Sequence, residues 1–157
     1  MKLRETAVLF LATGFYIGNI PLAPGTFGSI LGLAFCFVLA GLKLPLAIGC
    51  TVLFIAMAVW VANDAEKILN KKDPGCIVID EIAGMAVTLV GLPFNLTTAL
   101  IGFIIFRTLD ILKPFPIRTL DKRVSGGVGI VIDDVVAGIF ANLLLRLIIR
   151  LGISTNY

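Results

Sequence analysis

The sequence predicts an all-α fold, an integral membrane helical bundle of about four transmembrane helices with a shorter helix at the N-terminus. Of its 157 residues, 59% are hydrophobic and only 15% are charged, whereas soluble domains are nearer half apolar and a quarter charged. The charges are also collected into short stretches between long apolar segments. A chain of this length is expected to form a single domain, residues 1–157.

The elements of this bundle follow from the apolar segments, which are residues 6–18, 27–42, 45–62, 77–92, 96–112 and 129–149. The first is short and broken by glycine, so we expect a helix that is partly inserted or packed inside the bundle. The second and third are the clearest spans and are joined by a tight turn. A span needs about 20 mostly apolar residues, so several segments are marginal and are expected to tilt or to pack on one another. Backbone polar groups inside a bilayer must be paired internally, which favours helices over strands.

The distribution of lysine and arginine predicts the orientation. The stretches 63–76 and 113–128 are rich in charge. The turns 41–45 and 91–97, at the opposite ends of the predicted helices, together contain only one charged residue, Lys43. Because basic loops remain on the cytoplasmic side, we expect the two rich stretches to be cytoplasmic. Arg146 and Arg150 would then lie on the other side, which is an exception to the rule.

A near repeat places paired acids at the starts of two helices. The two copies read IVIDE, at Ile77–Glu81, and IVIDD, at Ile130–Asp134, and each is followed by small residues. Acids in a first helical turn can simply complement the helix dipole. Four clustered like charges, however, repel unless a cation lies among them, and a carboxylate deep in an apolar helix costs about 2.5–3.5 kcal/mol. The candidate ligands of a hard metal such as Mg²⁺ are therefore Asp80, Glu81, Asp133 and Asp134.

The stretch FRTLDILKP carries a second set of polar residues at the end of a predicted helix. Arg107, Asp110 and Lys113 are spaced three apart and share one helical face. An ion-pair ladder at a membrane interface explains this spacing equally well. The planar guanidinium of Arg107 nevertheless suits phosphate, so Arg107 and Asp110 are candidate catalytic residues and Lys113 a candidate substrate-binding residue. Pro114 is expected to stop the helix.

Two glycine-containing stretches precede predicted helices on the same side. In PGTFGS, Gly25 lets the backbone approach a ligand, and Thr26 and Ser29 offer hydroxyls and a helix N-cap. In SGGVG, at Ser125–Gly129, the glycines suit a hinge, a phosphate nest or, by default, a flexible turn. Each motif is weak alone, but together with the acids and Arg107 they form a set that suits phosphoryl transfer.

Composition also excludes several chemistries. The chain has no histidine, so it has no phosphohistidine intermediate, no Ser-His triad and no His-ligated zinc. Cys36, Cys50 and Cys76 have no metal-ligand spacing and no pattern of a disulfide framework. The net charge of +3 is modest, and the cations are concentrated in loops, so we expect lipid headgroups and not nucleic acid as their partners.

The runs APGTFGS, IDEIAG, FRTLDILKPFPI and GGVGIVIDDVVAG, in this order and spacing, resemble the phosphatidylglycerophosphatase A family from about Pro21 to about Gly138. The resemblance implies a Mg²⁺-dependent enzyme that removes the terminal phosphate of phosphatidylglycerophosphate to give phosphatidylglycerol. It also implies a multi-pass protein of the bacterial inner membrane with its active site facing the cytoplasm.

As a mechanism, we expect the four paired acids to hold one or two Mg²⁺ ions, which either activate a water or stabilise an attacking carboxylate. Arg107, with Lys113, would neutralise the remaining phosphate charge. Asp110 would orient Arg107 or join the metal ligands. Gly25, Thr26 and Ser29 would contact phosphate or glycerol. The basic loop residues Arg118, Lys122 and Arg123 would meet anionic headgroups, at about 1 kcal/mol each.

Two other classes of function are weighed against the enzyme. A small ion-coupled transporter also uses intramembrane acids, and a two-fold repeat occurs in transporters. Transport predicts acids spread across the membrane, whereas an interfacial enzyme predicts acids collected at one face. A structural subunit of a membrane complex predicts no metal dependence. The sequence gives no indication of oligomeric state.

Overall fold

The structure is a computed structural model that describes residues 2–119 and 124–152, and in those ranges its regular elements are all helices. The α-helices with both ends inside those ranges are α1 (Leu3–Ala12), α2 (Pro24–Ala40), α3 (Leu44–Leu69), α4 (Ile79–Leu89), α5 (Leu96–Leu112) and α6 (Gly126–Arg150), with a 3₁₀ helix at Ile17–Asn19 between α1 and α2. The predicted all-α class is confirmed.

The helices differ in length. Two of them, α3 with 26 residues and α6 with 25, are long and apolar enough to cross a membrane. At a rise of about 1.5 Å per residue they are about 38 Å long. The 17 residues of α2 and of α5 reach about 26 Å, and the 11 residues of α4 reach only about 16 Å. By length and composition, two spans are therefore supported, and the predicted bundle of about four stays a prediction.

The short helix α4 forms the centre of the bundle. Most of it is buried, and it packs against α2, α3, α5 and α6. Its approach to α6 depends on small residues, because a Cβ added to Gly138 would lie 2.5 Å from the carbonyl oxygen of Gly84. The small residues that follow each acid pair therefore let the two acid-bearing helices approach closely.

The outer surface of the bundle is strongly apolar. Phe37 and Val38 on α2, Leu53 on α3, Ile104 on α5 and Leu143 on α6 all expose more than half of their surface. Soluble monomers rarely expose apolar surface on this scale, so the outer face is typical of a protein that contacts lipid.

Both acid-bearing helices begin at the same end of the bundle. At this end, called the site end below, α2, α4 and α6 begin and α3 and α5 finish. At the opposite end, called the remote end, Leu44 at the start of α3, Gly91 after α4 and Arg146 near the end of α6 meet. The two copies of the repeat therefore enter from the same side, as predicted.

Several predicted boundaries are wrong. Helix α1 covers Leu3–Ala12 and not 6–18, and α4 covers Ile79–Leu89 and not 77–92. Helix α3 continues to Leu69, so Asp64 and Glu66 are helical and not in a loop over 63–76. Hydropathy falls after residue 62, but Ala, Glu, Lys and Leu are strong helix formers and carry the helix on. It ends where Asn70 takes up the left-handed conformation, with φ 47°.

The starts of α2 and α6 also differ from prediction. Pro24 is the first residue of α2 and Ala23 is its N-cap, because proline is favoured at the first helical position. Thr26 and Ser29 are therefore not N-caps. Helix α6 begins at Gly126, so the glycines of the predicted flexible turn form its first turns. A Cβ on Gly127 would overlap the carbonyl oxygen of Val59, so this glycine permits close packing of α6 on α3.

The early start of α6 changes the position of the second acid pair. Asp133 and Asp134 lie about two turns inside the helix, and its first turn contains no acid. Asp80 and Glu81 do lie in the first turn of α4. Complementing a helix dipole can therefore explain the first pair but not the second, because the dipole effect falls off within the first turn.

Candidate active site

Three carboxylates from two helices form the centre of the site. Asp80 and Glu81 on α4 and Asp134 on α6 each offer an oxygen, and these oxygens all lie within 4.8 Å of one another. We call these three residues the carboxylate triad. Asp134 is only 3% exposed, so the triad is held by packed helices and not by a surface loop.

The triad has hydrogen-bonding capacity that the described protein atoms do not satisfy. Asp80 Oδ1 and Glu81 Oε2 are buried and have no hydrogen-bond partner. Unpaired buried carboxylate oxygens are costly, and three close negative charges also repel one another. A hard divalent cation relieves both costs, because Mg²⁺ prefers oxygen ligands and carboxylates above all. The donor set therefore fits the ion that the sequence predicted.

Asp133 is arranged differently from its neighbour Asp134. Its Oδ2 accepts a 2.6 Å hydrogen bond from Lys113 Nζ, and its Oδ1 accepts the backbone N–H of Asp134 at 3.1 Å. It does not belong to the group of oxygens within 4.8 Å found among the described residues. Of the four acids predicted as metal ligands, the structure therefore brings three together and places Asp133 in an ion pair beside them.

Arg107 and Asp110 lie at the end of α5, next to the triad. Arg107 Nη1 donates to Asp110 Oδ2 at 2.5 Å, and each side chain is 15% exposed. Arg107 Nε is buried without a partner. A Cβ on Gly25 would lie 3.1 Å from both terminal nitrogens of Arg107 and would overlap Glu81 Oε1. Glycine is required there because the start of α2 lies directly against these two charged groups.

The other predicted binding residues are less directly placed. Ser29 is fully buried and lies one helical turn after Gly25. Its hydroxyl donates to the Gly25 carbonyl at 2.8 Å, which stabilises the backbone of Gly25. Thr26 is half-buried in the first turn of α2. Arg118 is exposed and does not line the cavity described next. Lys122 and Arg123 lie outside the described residues.

A polar cavity of about 620 Å³ gives access to the carboxylates. Its inner wall carries the triad with Asp110, Lys113 and Asp133, and its outer wall carries residues that the sequence did not predict as site residues: Glu66, Lys72, Asp73 and Gly75. Ser125 and Gly129, from the stretch weighed as a phosphate nest, also line the cavity. The outer wall is built by the end of α3 and the turn after it, where the Asp73 N–H donates to Glu66 Oε1 at 3.2 Å. The cluster of charges in 63–76 is the sequence signal for Glu66, Lys72 and Asp73, but read as a loop it predicts only the orientation of the chain.

The acids are collected at one end of the molecule. Every aspartate and glutamate within 2–119 and 124–152 lies at the site end, on the triad, on the cavity wall or on the adjoining parts of α1 and α3. An ion path would need polar groups across the apolar thickness of the bundle. The distribution matches the expectation for an interfacial enzyme and gives no support to the transporter.

Comparison with known proteins identifies relatives along most of the chain. The family model described as Phosphatidylglycerophosphatase A matches residues 10–149. Phosphatidylglycerophosphatase A of Escherichia coli strain K12 is 42% identical over 132 residues, covering 83% of this chain and 77% of the relative. Phosphatidylglycerophosphatase A of Haemophilus influenzae is 38% identical over 135 residues, covering 83% and 82%.

A third relative carries a different name. This Bacteroides thetaiotaomicron protein, named as a candidate phosphatidylinositol-3-phosphatase, is 34% identical over 153 residues, covering 92% of this chain and 95% of the relative. No solved structure matches the chain. The family model spans all four motifs and both acid-bearing helices, and on that evidence the chain belongs to the phosphatidylglycerophosphatase A family.

Proposed function

We propose that this chain is a membrane lipid phosphatase that hydrolyses the terminal phosphomonoester of phosphatidylglycerophosphate to phosphatidylglycerol and inorganic phosphate. One observation carries the proposal: a carboxylate triad with buried, unsatisfied oxygens lies beside Arg107, in a polar cavity at one end of an apolar bundle. The names of the Escherichia coli and Haemophilus influenzae relatives supply the substrate.

The apolar surface and the charge distribution support a multi-pass position in the bacterial inner membrane, with the site end cytoplasmic. At the remote end the described cations are Lys43, Arg146 and Arg150, and the other described lysines and arginines lie at the site end. Because lysine and arginine are enriched on the cytoplasmic side, the triad faces the cytoplasmic leaflet. The acyl chains of the substrate then stay in the bilayer while the headgroup enters the cavity.

Asp80, Glu81 and Asp134 would hold a Mg²⁺ ion, which when bound supplies a Lewis acid for phosphate oxygens and for the attacking oxygen. Asp110 orients the Arg107 guanidinium through their 2.5 Å ion pair. The guanidinium keeps further N–H groups for phosphate oxygens, and charge-assisted bonds of this kind are roughly twice as strong as neutral ones.

Lys113 and Gly25 complete the binding of the phosphate. Lys113, fixed by its 2.6 Å contact with Asp133, places a second positive charge on the cavity wall. The absence of a side chain at Gly25 lets the backbone at the start of α2 lie directly against Arg107 and Glu81, so this backbone borders the phosphate site. In the reaction the bond from phosphorus to the glycerol oxygen breaks, water supplies the new oxygen, and the released alcohol takes up a proton.

The substrate assignment is tested by phosphate release from two lipids in detergent micelles. Purified protein is given phosphatidylglycerophosphate or phosphatidylinositol 3-phosphate, the lipid in the name of the Bacteroides relative. We expect faster release from phosphatidylglycerophosphate, and loss of release from both lipids in Asp134→Asn. Faster release from the inositol lipid would overturn the substrate, and absence of release from both would overturn the phosphatase.

A further inference from the structure

Among the residues that the structure describes, the remote end of the bundle carries cations and no acid. Lys43, Arg146 and Arg150 lie there, whereas the acids of the described ranges lie at the site end. Arg146 makes no ion pair with any residue that the structure describes. A guanidinium in or near the hydrocarbon region without a counter-ion is costly, so an anion bound at the remote end would stabilise Arg146.

Arg146 is held in one position by the end of α4. Asn142 Nδ2 donates to the carbonyl oxygens of Thr88 at 2.9 Å and Val90 at 3.1 Å, which satisfies carbonyls left free where α4 ends. Asn142 Oδ1 then accepts Arg146 Nε–H at 2.8 Å. Arg146 Nη2 donates to the carbonyls of Val90 and Gly91, each at 3.3 Å.

These contacts leave one edge of the guanidinium unused. Nε and Nη2 have partners, and the described residues provide none for Nη1. Gly91 makes the arrangement possible, because it has φ 72° and a Cβ there would lie 2.9 Å from Nη2. The two N–H groups of Nη1 are therefore fixed in direction and available to an acceptor such as a phosphate oxygen.

An apolar groove of about 280 Å³ leads to this guanidinium. Its apolar lining comes from the start of α3, the end of α4 and the outer face of α6: Leu44, Ile48, Val87, Val90, Ile139 and Leu143. The groove opens on the apolar outer surface, so its neighbour in a membrane is a lipid chain. A chain in the groove has its polar end at Arg146.

We propose that the remote end binds an anionic phospholipid of the leaflet opposite the active site, with its phosphate on Arg146 Nη1 and one acyl chain in the groove. The charge of the site selects the lipid, because Lys43 and Arg150 add positive charge and no described acid is present to receive the ammonium of a zwitterionic headgroup. The inference rests on the proposed membrane placement and is independent of catalysis.

The test is the melting temperature of purified protein in a neutral detergent, without Mg²⁺ or substrate, with added phosphatidylglycerol or phosphatidylcholine. At lipid concentrations about 100 times Kd, phosphatidylglycerol should raise the midpoint by roughly 5–10 °C over phosphatidylcholine. Arg146→Gln should abolish that difference. Because this change also removes contacts to α4, only the lipid-dependent difference within each variant is compared.

Two further variants separate the parts of the site. Leu143→Trp fills the groove, leaves the guanidinium in place and should also abolish the difference. Arg4→Gln removes a cation at the site end, where Arg4 pairs with Asp64, and should keep it. Equal stabilisation by both lipids, or a full phosphatidylglycerol effect in Arg146→Gln or Leu143→Trp, would overturn the proposal. Asp134→Asn should keep the effect, so a failure of the phosphatase assignment leaves this result unchanged.

Discussion

Gly84 lies where α4 crosses α6, three residues after Glu81, and replacing it with alanine should separate the halves of the triad. An added Cβ would lie 2.5 Å from Cε2 and Cζ of Phe106 and 2.9 Å from the carbonyl oxygen of Asp134. Ordinary contact begins at 3.4 Å. Moving from 2.5 to 3.4 Å requires a shift of about 0.9 Å from Phe106, and moving from 2.9 to 3.4 Å requires about 0.5 Å from the backbone of Asp134.

Neither neighbour can give way easily. The Phe106 ring is fully buried, and the other contact is backbone in the middle of α6. Overpacking of this kind costs about 1–3 kcal/mol, which lowers the melting temperature by roughly 3–9 °C for a chain of this size. A displacement near 1 Å at a catalytic group costs about 10²-fold in rate. Gly84→Ala should therefore release phosphate about 100-fold more slowly and need more Mg²⁺ for half-maximal activity.

The assay measures phosphate release against Mg²⁺ concentration, together with the melting temperature. Gly49→Ala is the matched control, because a Cβ at Gly49 on α3 would have nothing within 4 Å. It should keep wild-type activity and melt at the same or a higher temperature, since alanine is favoured over glycine in a helix by about 1 kcal/mol. A wild-type rate and Mg²⁺ requirement in Gly84→Ala would refute the dependence of the site on this helix crossing.

Three other predictions follow from the geometry. Asp134→Asn removes a triad carboxylate and should raise the Mg²⁺ concentration needed for half-maximal activity at least about tenfold. Asp133→Asn removes the ion-pair partner of Lys113 and should act mainly on KM for the lipid. Equal shifts in the Mg²⁺ requirement of the two variants would contradict these separate roles. Arg107→Lys keeps the charge but loses the planar fork, so kcat/KM should fall about tenfold or more, and a wild-type value would argue against a phosphate contact. EDTA should stop phosphate release, and excess Mg²⁺ should restore it; release that continues in EDTA would exclude a metal requirement.

Local signals predicted α5 accurately. The segment 96–112 has the same bounds as the helix Leu96–Leu112. Asn95 accepts the Thr98 N–H at 2.9 Å and caps the start, and Pro114 follows shortly after the end. Where a capping residue and a proline flank an apolar run, the sequence alone defines a helix.

Hydropathy was misleading at the end of α3. The prediction ended the helix where charge begins, but helix propensity continues it to Leu69. That extension puts Glu66 on the cavity wall. An apolar count describes the part of a helix that can lie in lipid, and it does not report where the backbone stops being helical.

The difference between Asp133 and Asp134 could not be predicted either. In sequence they are equivalent members of one pair, but adjacent helical residues point about 100° apart. Only the packing of α6 decides that Asp134 faces α4 while Asp133 faces Lys113. Similarly, Arg146 is an exception to the enrichment of lysine and arginine on the cytoplasmic side. In the structure it donates hydrogen bonds to the carbonyls of Val90 and Gly91, which are exposed because α4 ends early.

The most direct test of the central claim is phosphate release from phosphatidylglycerophosphate by purified wild type and Asp80→Asn as Mg²⁺ is titrated in detergent micelles. The carboxylate triad predicts release that requires Mg²⁺ in the wild type and a rate lower by about 100-fold or more in Asp80→Asn, with both proteins folded by their melting curves. Release that needs no divalent cation and survives Asp80→Asn would contradict it.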